Sequence, residues 1–148
     1  MAATLQLPAR MPKQMREKDY VALAAFRHAL REFEAFSEDE ARKAGLPPQQ
    51  HQALLAIRGF GAKTGMTVGD LARHFLLRPH TAVGLVNRMV RAGLVRRKPD
   101  PDDRRRVLLT LTPRADRVLI ALSMTHLAEI RRKAPQLNEL LNQLSADL

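Results

Sequence analysis

The side chains of this sequence that could do chemistry are its histidines and its arginines. The histidines follow no HExxH motif, no two of them have the close spacing of metal ligands, and the chain has no cysteine: they are His28, His51, His74, His80 and His126. Zinc and transition-metal sites need such ligands grouped at short spacing. Glycine-rich phosphate loops and G-x-S-x-G nucleophile motifs are also missing. We therefore expect no enzyme, no cofactor and no metal, and interpret each histidine as a surface or core-edge residue.

The arginines are concentrated in one part of the chain. Residues 78 to 106, a fifth of the length, hold nine basic and three acidic side chains and so contribute +6 of the net charge of +10. A field of this kind attracts polyanions, chiefly nucleic acid or acidic membrane surfaces. The alternative is a merely solvated charged face, which would spread its excess more evenly. The basic residues are Arg78, Arg88, Arg91, Arg96, Arg97, Lys98, Arg104, Arg105 and Arg106.

Two predicted helices hold the first of these side chains. Thr67 and Asp70 form a capping box that opens a helix over about 68–74, and Pro79 suits the first turn of a second helix that Gly93 ends. Val83, Val86 and Val90 are predicted to be its buried stripe. Two short helices joined by a tight turn are typical of the helix-turn-helix, which binds DNA or serves as a plain packing element. The exposed candidates for DNA contact are Arg78, His80, Thr81, Gly84, Asn87 and Arg88.

A β-hairpin is predicted directly after these helices, in the stretch RRKPDPDDRRRVLLTLT at 96–112. Its flanks, 94–98 and 107–111, are β-prone, and PDPDD between them is typical of a turn. A hairpin in this position is a wing, whose arginines can reach the minor groove while the helix occupies the major groove. We expect Arg97, Arg104 and Arg105 to contact DNA. Asp102 or Asp103 is expected to orient a neighbouring arginine, with Asp103 holding the tip.

The first half of the chain predicts further helices. Residues 16–36 repeat apolar side chains at helical spacing. Ser37 with Glu40 resembles a capping box that opens a second, short helix closed by Gly45. Prolines at 47 and 48 open the next helix, and the glycines at 59, 61 and 65 are expected to break it.

The end of the chain predicts a dimer. Leu127, Ala134, Leu141 and Leu148 recur every seven residues, interleaved with Ile130, Leu137 and Leu144. This apolar stripe is larger than a small domain can cover, although packing on the chain's own first helix is the alternative. Pro135 lies inside the pattern and is expected to kink the helix or split it in two.

The stretch TAVGLVNRMVRAGLVRRKPDPDDRRRVLLTLTPRA resembles the signature of the MarR family of winged-helix transcriptional regulators. The shared elements are Gly93-Leu94-Val95, Asp103-Arg104-Arg105 and Leu111-Thr112-Pro113. The resemblance is strong over residues 67–115 and extends to the rest as helical arrangement only. Val83-Gly84 stands where many members carry Thr-Arg, Asn87 replaces a frequent Asp, and Ala115 replaces a frequent Gly, so the recognised DNA sequence is not transferable from relatives.

This resemblance implies a mainly α fold with a small β-hairpin wing. One domain would span residues 1–148, with dimerisation helices at 15–45 and 113–148 and a winged helix-turn-helix lobe at 47–112. The function it implies is a homodimeric repressor of transcription that binds a palindromic operator in double-stranded DNA and is released by a small aromatic or anionic ligand. By position, Arg16, His28, Arg31 and His51 could line the ligand cleft. The alternative is that they are solvated or make intrachain hydrogen bonds.

Two other functions remain open at this stage. A constitutive architectural DNA-binding protein would read DNA shape without an effector. A protein-interaction module would use the winged helix only as a scaffold. The apolar runs are too short for a membrane span, and the N-terminus lacks the apolar region of a signal peptide, so we expect a cytoplasmic protein without a membrane partner.

Overall fold

The computed structural model describes residues 6, 9 and 15–146. Along the chain lie α1 (Glu17–Lys43), α2 (Pro48–Thr64), α3 (Val68–His74), α4 (Pro79–Arg91), β1 (Val95–Pro99), β2 (Val107–Leu111) and α5 (Pro113–Ser145). Helix α1 packs along α5, and α3 packs against α4. The predicted fold class, a mainly helical winged helix-turn-helix between long N- and C-terminal helices, is confirmed. Leu148, the last position of the apolar repeat, lies outside the described residues.

Helices α1 and α2 are longer than the sequence suggests. The predicted capping box at Ser37 is wrong, because α1 runs without interruption from Glu17 to Lys43 and Gly45 follows it with φ of +79°. The predicted break at Gly59 and Gly61 is also wrong, since α2 continues to Thr64 and ends at Gly65. A glycine inside a helix costs only about 1 kcal/mol relative to alanine, and the burial of this helix in the core offsets that cost.

The helix-turn-helix forms where it is predicted. The hydroxyl of Thr67 accepts a 3.1 Å hydrogen bond from the amide of Asp70, whose carboxylate accepts one of 2.9 Å from the amide of Thr67. Pro79 begins α4. The predicted buried stripe is partly wrong, because Val83 is exposed and Val90 only half-buried; the core face consists of Ala82, Leu85, Val86 and Met89. These residues follow one another at intervals of three, one and three, which places all four on one face of a helix.

The wing is a two-stranded antiparallel sheet. Val95 pairs with Leu111 and Pro99 with Val107, in close agreement with the predicted strands. Val95 and Leu109 are buried in the same core as Leu85 and Met89 of α4. The wing is therefore anchored by its apolar face, and its other side chains remain available to solvent.

Helix α5 is continuous over 33 residues. Thr112 starts it, because its hydroxyl accepts a 3.2 Å hydrogen bond from the amide of Ala115 and donates one of 2.7 Å to the carbonyl of Gly93. The prediction that Pro135 splits this helix is wrong. Pro135 is exposed and donates no hydrogen bond to the carbonyl of Arg131, yet the helix continues past it.

Candidate nucleic-acid interface

One face of α4 exposes the polar and basic side chains that the sequence singles out. His80, Thr81, Asn87 and Arg88 are exposed, Gly84 is half-buried between them, and Arg78 is the exposed residue that precedes the helix. Arg78 and Arg88 have no side-chain partner within the described part of the chain. The opposite face of α4 is fully buried, which fixes the direction in which these side chains point.

The first wing strand contacts this face directly. Nη2 of Arg97 in β1 donates a 2.6 Å hydrogen bond to Oδ1 of Asn87 in α4. Both residues are exposed. The bond joins the basic strand of the wing to the polar face of the helix, so the two form one continuous surface. Neither residue type nor spacing indicates this pairing, because ten residues and a glycine turn separate the partners.

An arginine is indeed oriented by an aspartate in the wing, but the pair differs from the predicted one. Neither Asp102 nor Asp103 holds a guanidinium. Asp100 is buried, and its Oδ2 accepts a 3.2 Å hydrogen bond from Nη1 of Arg106 while Oδ1 accepts one of 2.9 Å from the amide of Asp102. The reason is position: Asp100 follows the last residue of β1 and points into the turn, whereas the two later aspartates lie exposed at the tip.

The same Arg106 connects the wing to α3. Its Nη2 lies 3.9 Å from Oδ2 of Asp70, the capping residue of α3, whose other oxygen pairs with Arg73. The hydrogen bonds from the amide and hydroxyl of Thr67, together with the two arginines, lower the pKa of Asp70 below its usual value. Sequence reasoning missed both Asp100 and Arg106. The signal was an aspartate between two prolines, a residue pattern that favours side-chain bonds to nearby amides.

The tip of the wing presents two exposed arginines. Oδ1 of Asp103 accepts a 3.0 Å hydrogen bond from the backbone amide of Arg105, so Asp103 shapes the turn as predicted but through the backbone. The side chains of Arg104 and Arg105 are exposed and make no hydrogen bond or ion pair to any described residue.

The wing is held on the lobe by backbone contacts as well. The amide of Leu109 donates a 2.8 Å hydrogen bond to the carbonyl of Met66. Gly65 lies so close to the wing that an added Cβ would stand 2.8 Å from a methyl carbon of Leu108. Gly65 also has φ of +74°, a conformation that favours glycine. These contacts preorganise the wing.

The four residues suggested for a ligand cleft are spread over α1, α2 and the residue before α1. Arg16 precedes α1 and pairs with Asp19 at 3.3 Å, while His28 lies 3.6 Å from Glu32 and Arg31 is exposed on the same helix. Arg16 and His28 are separated by about 18 Å along the helix axis, at 1.5 Å per residue. His51 is buried in α2. These positions favour the solvated or intrachain interpretation for Arg16 and His28.

His51 belongs to a buried cluster that sequence reasoning missed. Its ring centroid lies 4.9 Å from that of His126 in α5. His126 contacts the carbonyl of Leu122 through Nδ1 at 2.7 Å and the hydroxyl of Ser37 through Nε2 at 2.8 Å. Nδ1 of His51 is buried and has no hydrogen-bond partner, and burial, followed by the neighbouring His126, lowers the pKa of His51.

The described residues, 6, 9 and 15–146, contain neither a cluster of metal ligands nor a membrane-spanning helix. No three histidine, aspartate or glutamate side chains there are grouped as a metal would need. None of the described helices combines the length and apolar character needed to cross a bilayer.

The fold and this interface define a winged helix-turn-helix protein. Residues 44–106 match the model of the MarR family. A segment of 68 residues is 43% identical to the transcriptional activatory protein BadR of Rhodopseudomonas palustris; it covers 46% of this chain and 39% of BadR, so the chain spans about two fifths of that relative. The lobe at residues 44–106 is therefore similar to the DNA-binding lobe described by the MarR family model.

Solved structures share the fold over most of the chain. RV1404 from Mycobacterium tuberculosis is similar with a TM-score of 0.69 and 24% identity, over 91% of this chain and 95% of that one. The S. aureus MepR–DNA complex is similar with a TM-score of 0.65 and 20% identity, over 83% and 88% of the two chains.

Proposed function

We propose that this protein is a homodimeric, sequence-specific regulator of transcription that binds double-stranded DNA. The observation that carries the proposal is the bond between Arg97 and Asn87, because it makes the wing and the exposed face of α4 a single surface. A helix in the major groove reads base edges, and a wing beside it contacts the backbone or the minor groove. The S. aureus MepR structure of the same fold was solved as a DNA complex.

The roles of the residues follow from their exposure and chemistry. His80, Thr81 and Asn87 would contact base edges or adjacent phosphates from α4, with Gly84 leaving room for close approach. Arg78, Arg88 and Arg97 would neutralise phosphates. At the tip, Arg105 would enter the minor groove, with Arg104 as the substitute if the hairpin register shifts by one residue, and Asp103 would shape the turn.

A dimer is supported by apolar side chains that the single chain leaves exposed. On α5, Ile120, Met124 and Leu127 follow one another at helical spacing, and Met124 is 68% exposed. On α1, Val21 is 62% exposed, and Leu23 and Leu30 are exposed as well. Contiguous apolar surface of this kind marks a protein interface. Since α1 and α5 pack together, a second copy could cover both stripes at once.

The direction of regulation is part of the proposal. A dimer bound to a palindromic operator represses transcription when the operator overlaps the promoter. A small aromatic or anionic ligand would release the dimer from DNA by favouring a conformation in which the spacing of its two DNA-binding lobes is altered. Activation is the second candidate, because the relative with 43% identity over 68 residues is named as an activator. A constitutive architectural protein remains the alternative without an effector. We place the protein in the cytoplasm in each case.

Selection of duplexes from random DNA by the purified protein tests the proposal. We expect an inverted repeat with half-site centres about 10 bp apart, one turn of DNA. On the selected site, log affinity should fall linearly with log salt by about 0.9 per phosphate contact. Selected sites without a dyad, or a flat salt response, would contradict the proposal. A reporter gene with this site upstream of or over its promoter separates activation from repression.

Two substitutions then separate the helix from the wing. Thr81→Ala should weaken binding by about 1 to 3 kcal/mol and relax preference at one half-site position. Arg105→Ala should weaken binding most on sites with narrow, A·T-rich flanking minor grooves. Equal losses on all sequences would instead assign Thr81 to the backbone. If Arg105→Ala weakened binding equally on all flanking sequences, Arg105 would not lie in the minor groove.

A further inference from the structure

Four arginines line one cleft on the side of the wing base. The cleft lies between the end of α4, β1 and the start of α5, and it has a volume of about 680 Å³. The guanidinium-bearing residues are Arg96, Arg97, Arg114 and Arg117, and the other lining residues are Val90, Gly93, Val95, Thr112 and Pro113. None of the lining residues is acidic. The cleft therefore gathers four positive charges without a counter-charge of its own.

Two of the four guanidiniums are held in place by neutral groups. Nη1 of Arg114 donates a 3.3 Å hydrogen bond to the carbonyl of Ala92, and Arg97 donates to the amide oxygen of Asn87. A guanidinium has five N–H donors, so most of them remain available. Arg96 and Arg117 make no side-chain hydrogen bond or ion pair to any described residue. Arg97 and Arg114 are therefore held in position, while none of the four charges is neutralised.

Three arginines outside this cleft are paired with carboxylates. Arg58 lies 3.4 Å from Asp116, Arg106 lies 3.2 Å from Asp100, and Arg132 lies 2.7 Å from Glu129. Asp116 is the acid in the first turn of α5, and its bond to Arg58 turns it toward a neighbouring cleft rather than toward Arg114 and Arg117.

This arrangement is electrostatically unfavourable in the free protein. Arg114 and Arg117 stand in the first turns of a 33-residue helix, whose N-terminus already carries partial positive charge. Like charges in a common cleft also repel one another. A bound anion would remove both penalties, and the planar fork of a guanidinium matches the oxygens of a phosphate.

We propose that this cleft binds phosphate groups as a second anion site beside the recognition helix. Two sources present the same chemistry: the backbone of DNA that extends beyond the recognised sequence, or a free polyphosphate anion. The first source rests on the proposed function, since it requires DNA on the neighbouring surface. The second does not.

The test compares the double variant Arg114→Gln/Arg117→Gln with the wild-type protein. The control is Arg131→Gln/Arg132→Gln, which removes the same charge from exposed positions of the same helix. These positions lie roughly 20 Å or more from Arg114 and Arg117 along the helix axis. Sodium tripolyphosphate is titrated into each protein at low salt and followed by calorimetry. Each protein is also titrated with a duplex limited to the selected site and with one extended by about 10 bp on each side.

Either of two results supports the proposal. If free polyphosphate is bound, the cleft variant should bind tripolyphosphate at least tenfold more weakly, and the control within twofold. If DNA backbone is bound, the cleft variant should lose affinity on the extended duplex but not on the short one, with the salt slope reduced by about 0.9 per lost contact. Thermal melts should show the cleft variant at least as stable as wild type, because repulsion is relieved.

The proposal is overturned if the cleft variant matches the control with both tripolyphosphate and the extended duplex. A wild-type protein that binds neither duplex refutes the proposed function instead, and the tripolyphosphate titration then decides on the cleft alone. Equal losses by the cleft and control variants would show a general charge effect and also overturn the site.

Discussion

Asp100 and Arg106 meet across the base of the wing turn, with Oδ2 of the aspartate 3.2 Å from Nη1 of the arginine. Their backbones are also joined, since the amide of Asp100 donates a 3.0 Å hydrogen bond to the carbonyl of Arg106. The pair therefore closes the turn that carries Arg104 and Arg105. Because Arg106 extends toward Asp70, the turn is supported by α3 as well as by the hairpin itself.

Asp100→Ala should weaken DNA binding even though it removes a negative charge from the loop that we propose to face DNA. The substitution removes two hydrogen bonds and leaves the wing tip to be ordered on binding, at a cost of about 1 to 2 kcal/mol, or roughly tenfold in affinity. Fluorescence anisotropy with a labelled operator at one salt concentration measures it. Asp102→Ala is the control, because its exposed carboxylate makes no hydrogen bond to a described residue, and it should bind equally or more tightly. Tighter binding by Asp100→Ala would show that this acid only moderates charge.

Gly65→Ala should destabilise the fold by about 2 to 3 kcal/mol. The new Cβ would need a left-handed backbone conformation and would approach a methyl carbon of Leu108 to 2.8 Å, so the Leu108 side chain must move. Gly45→Ala is the matched control, since Gly45 has φ of +79° but open space around it, and it should cost only about 1 kcal/mol. Urea denaturation followed by circular dichroism measures both. Equal losses of stability in the two variants would mean that Leu108 moves aside without an energetic cost.

Met124→Glu should convert the proposed dimer into monomers. Burying an unpaired carboxylate in an apolar interface costs several kcal/mol. Thr125→Glu adds the same charge one residue further on, where the side chain points away from the apolar stripe formed by Ile120, Met124 and Leu127, and should leave the dimer intact. Sedimentation velocity distinguishes the species. A dimer that survives Met124→Glu would place the interface elsewhere.

The buried ring of His51 should make the fold less stable in mild acid. Its pKa is lowered in the folded state, so the unfolded chain binds more protons as the pH falls below the ordinary histidine value of about 6.5. The stabilisation is complete above about pH 6.5 and is lost as the pH falls through the lower folded pKa. Among the described residues of α5, His126 faces His51 and lowers its pKa further. Phe33 and Phe36 of α1 pack against the ring of His126.

Melting temperatures of His51→Gln between pH 7.5 and 5 test this linkage. The substitution should flatten the pH dependence, whatever it does to stability at pH 7.5. His28→Gln is the control, because His28 is exposed and paired only with Glu32, and it should retain the wild-type slope. An unchanged slope in His51→Gln would assign the acid sensitivity to other groups.

The sequence by itself determined the local elements of the DNA-binding lobe. Capping by Thr67 and Asp70, proline at the start of α4, and β-prone flanks around a proline-aspartate turn act within a few residues, so their pattern can be read along the chain. The exposed polar face of α4 could be predicted for the same reason. The motifs that resemble those of the MarR family lie in this same region, where they combine local signals in a fixed order.

Tertiary structure alone decided which distant residues meet. Ser37 resembled a helix start, yet packing of α1 along α5 keeps the helix continuous. The hydroxyl of Ser37 instead hydrogen-bonds with His126, which lies 89 residues away in the sequence. Arg97 pairs with Asn87, and Arg106 pairs with Asp100 rather than with Asp103. Charge and sequence spacing do not distinguish these partners from their neighbours, whereas burial and the hairpin register do. Sequence propensity reflects the free energy of a local conformation. The free energy gained by burying a long helix or an ordered turn is large enough to override it.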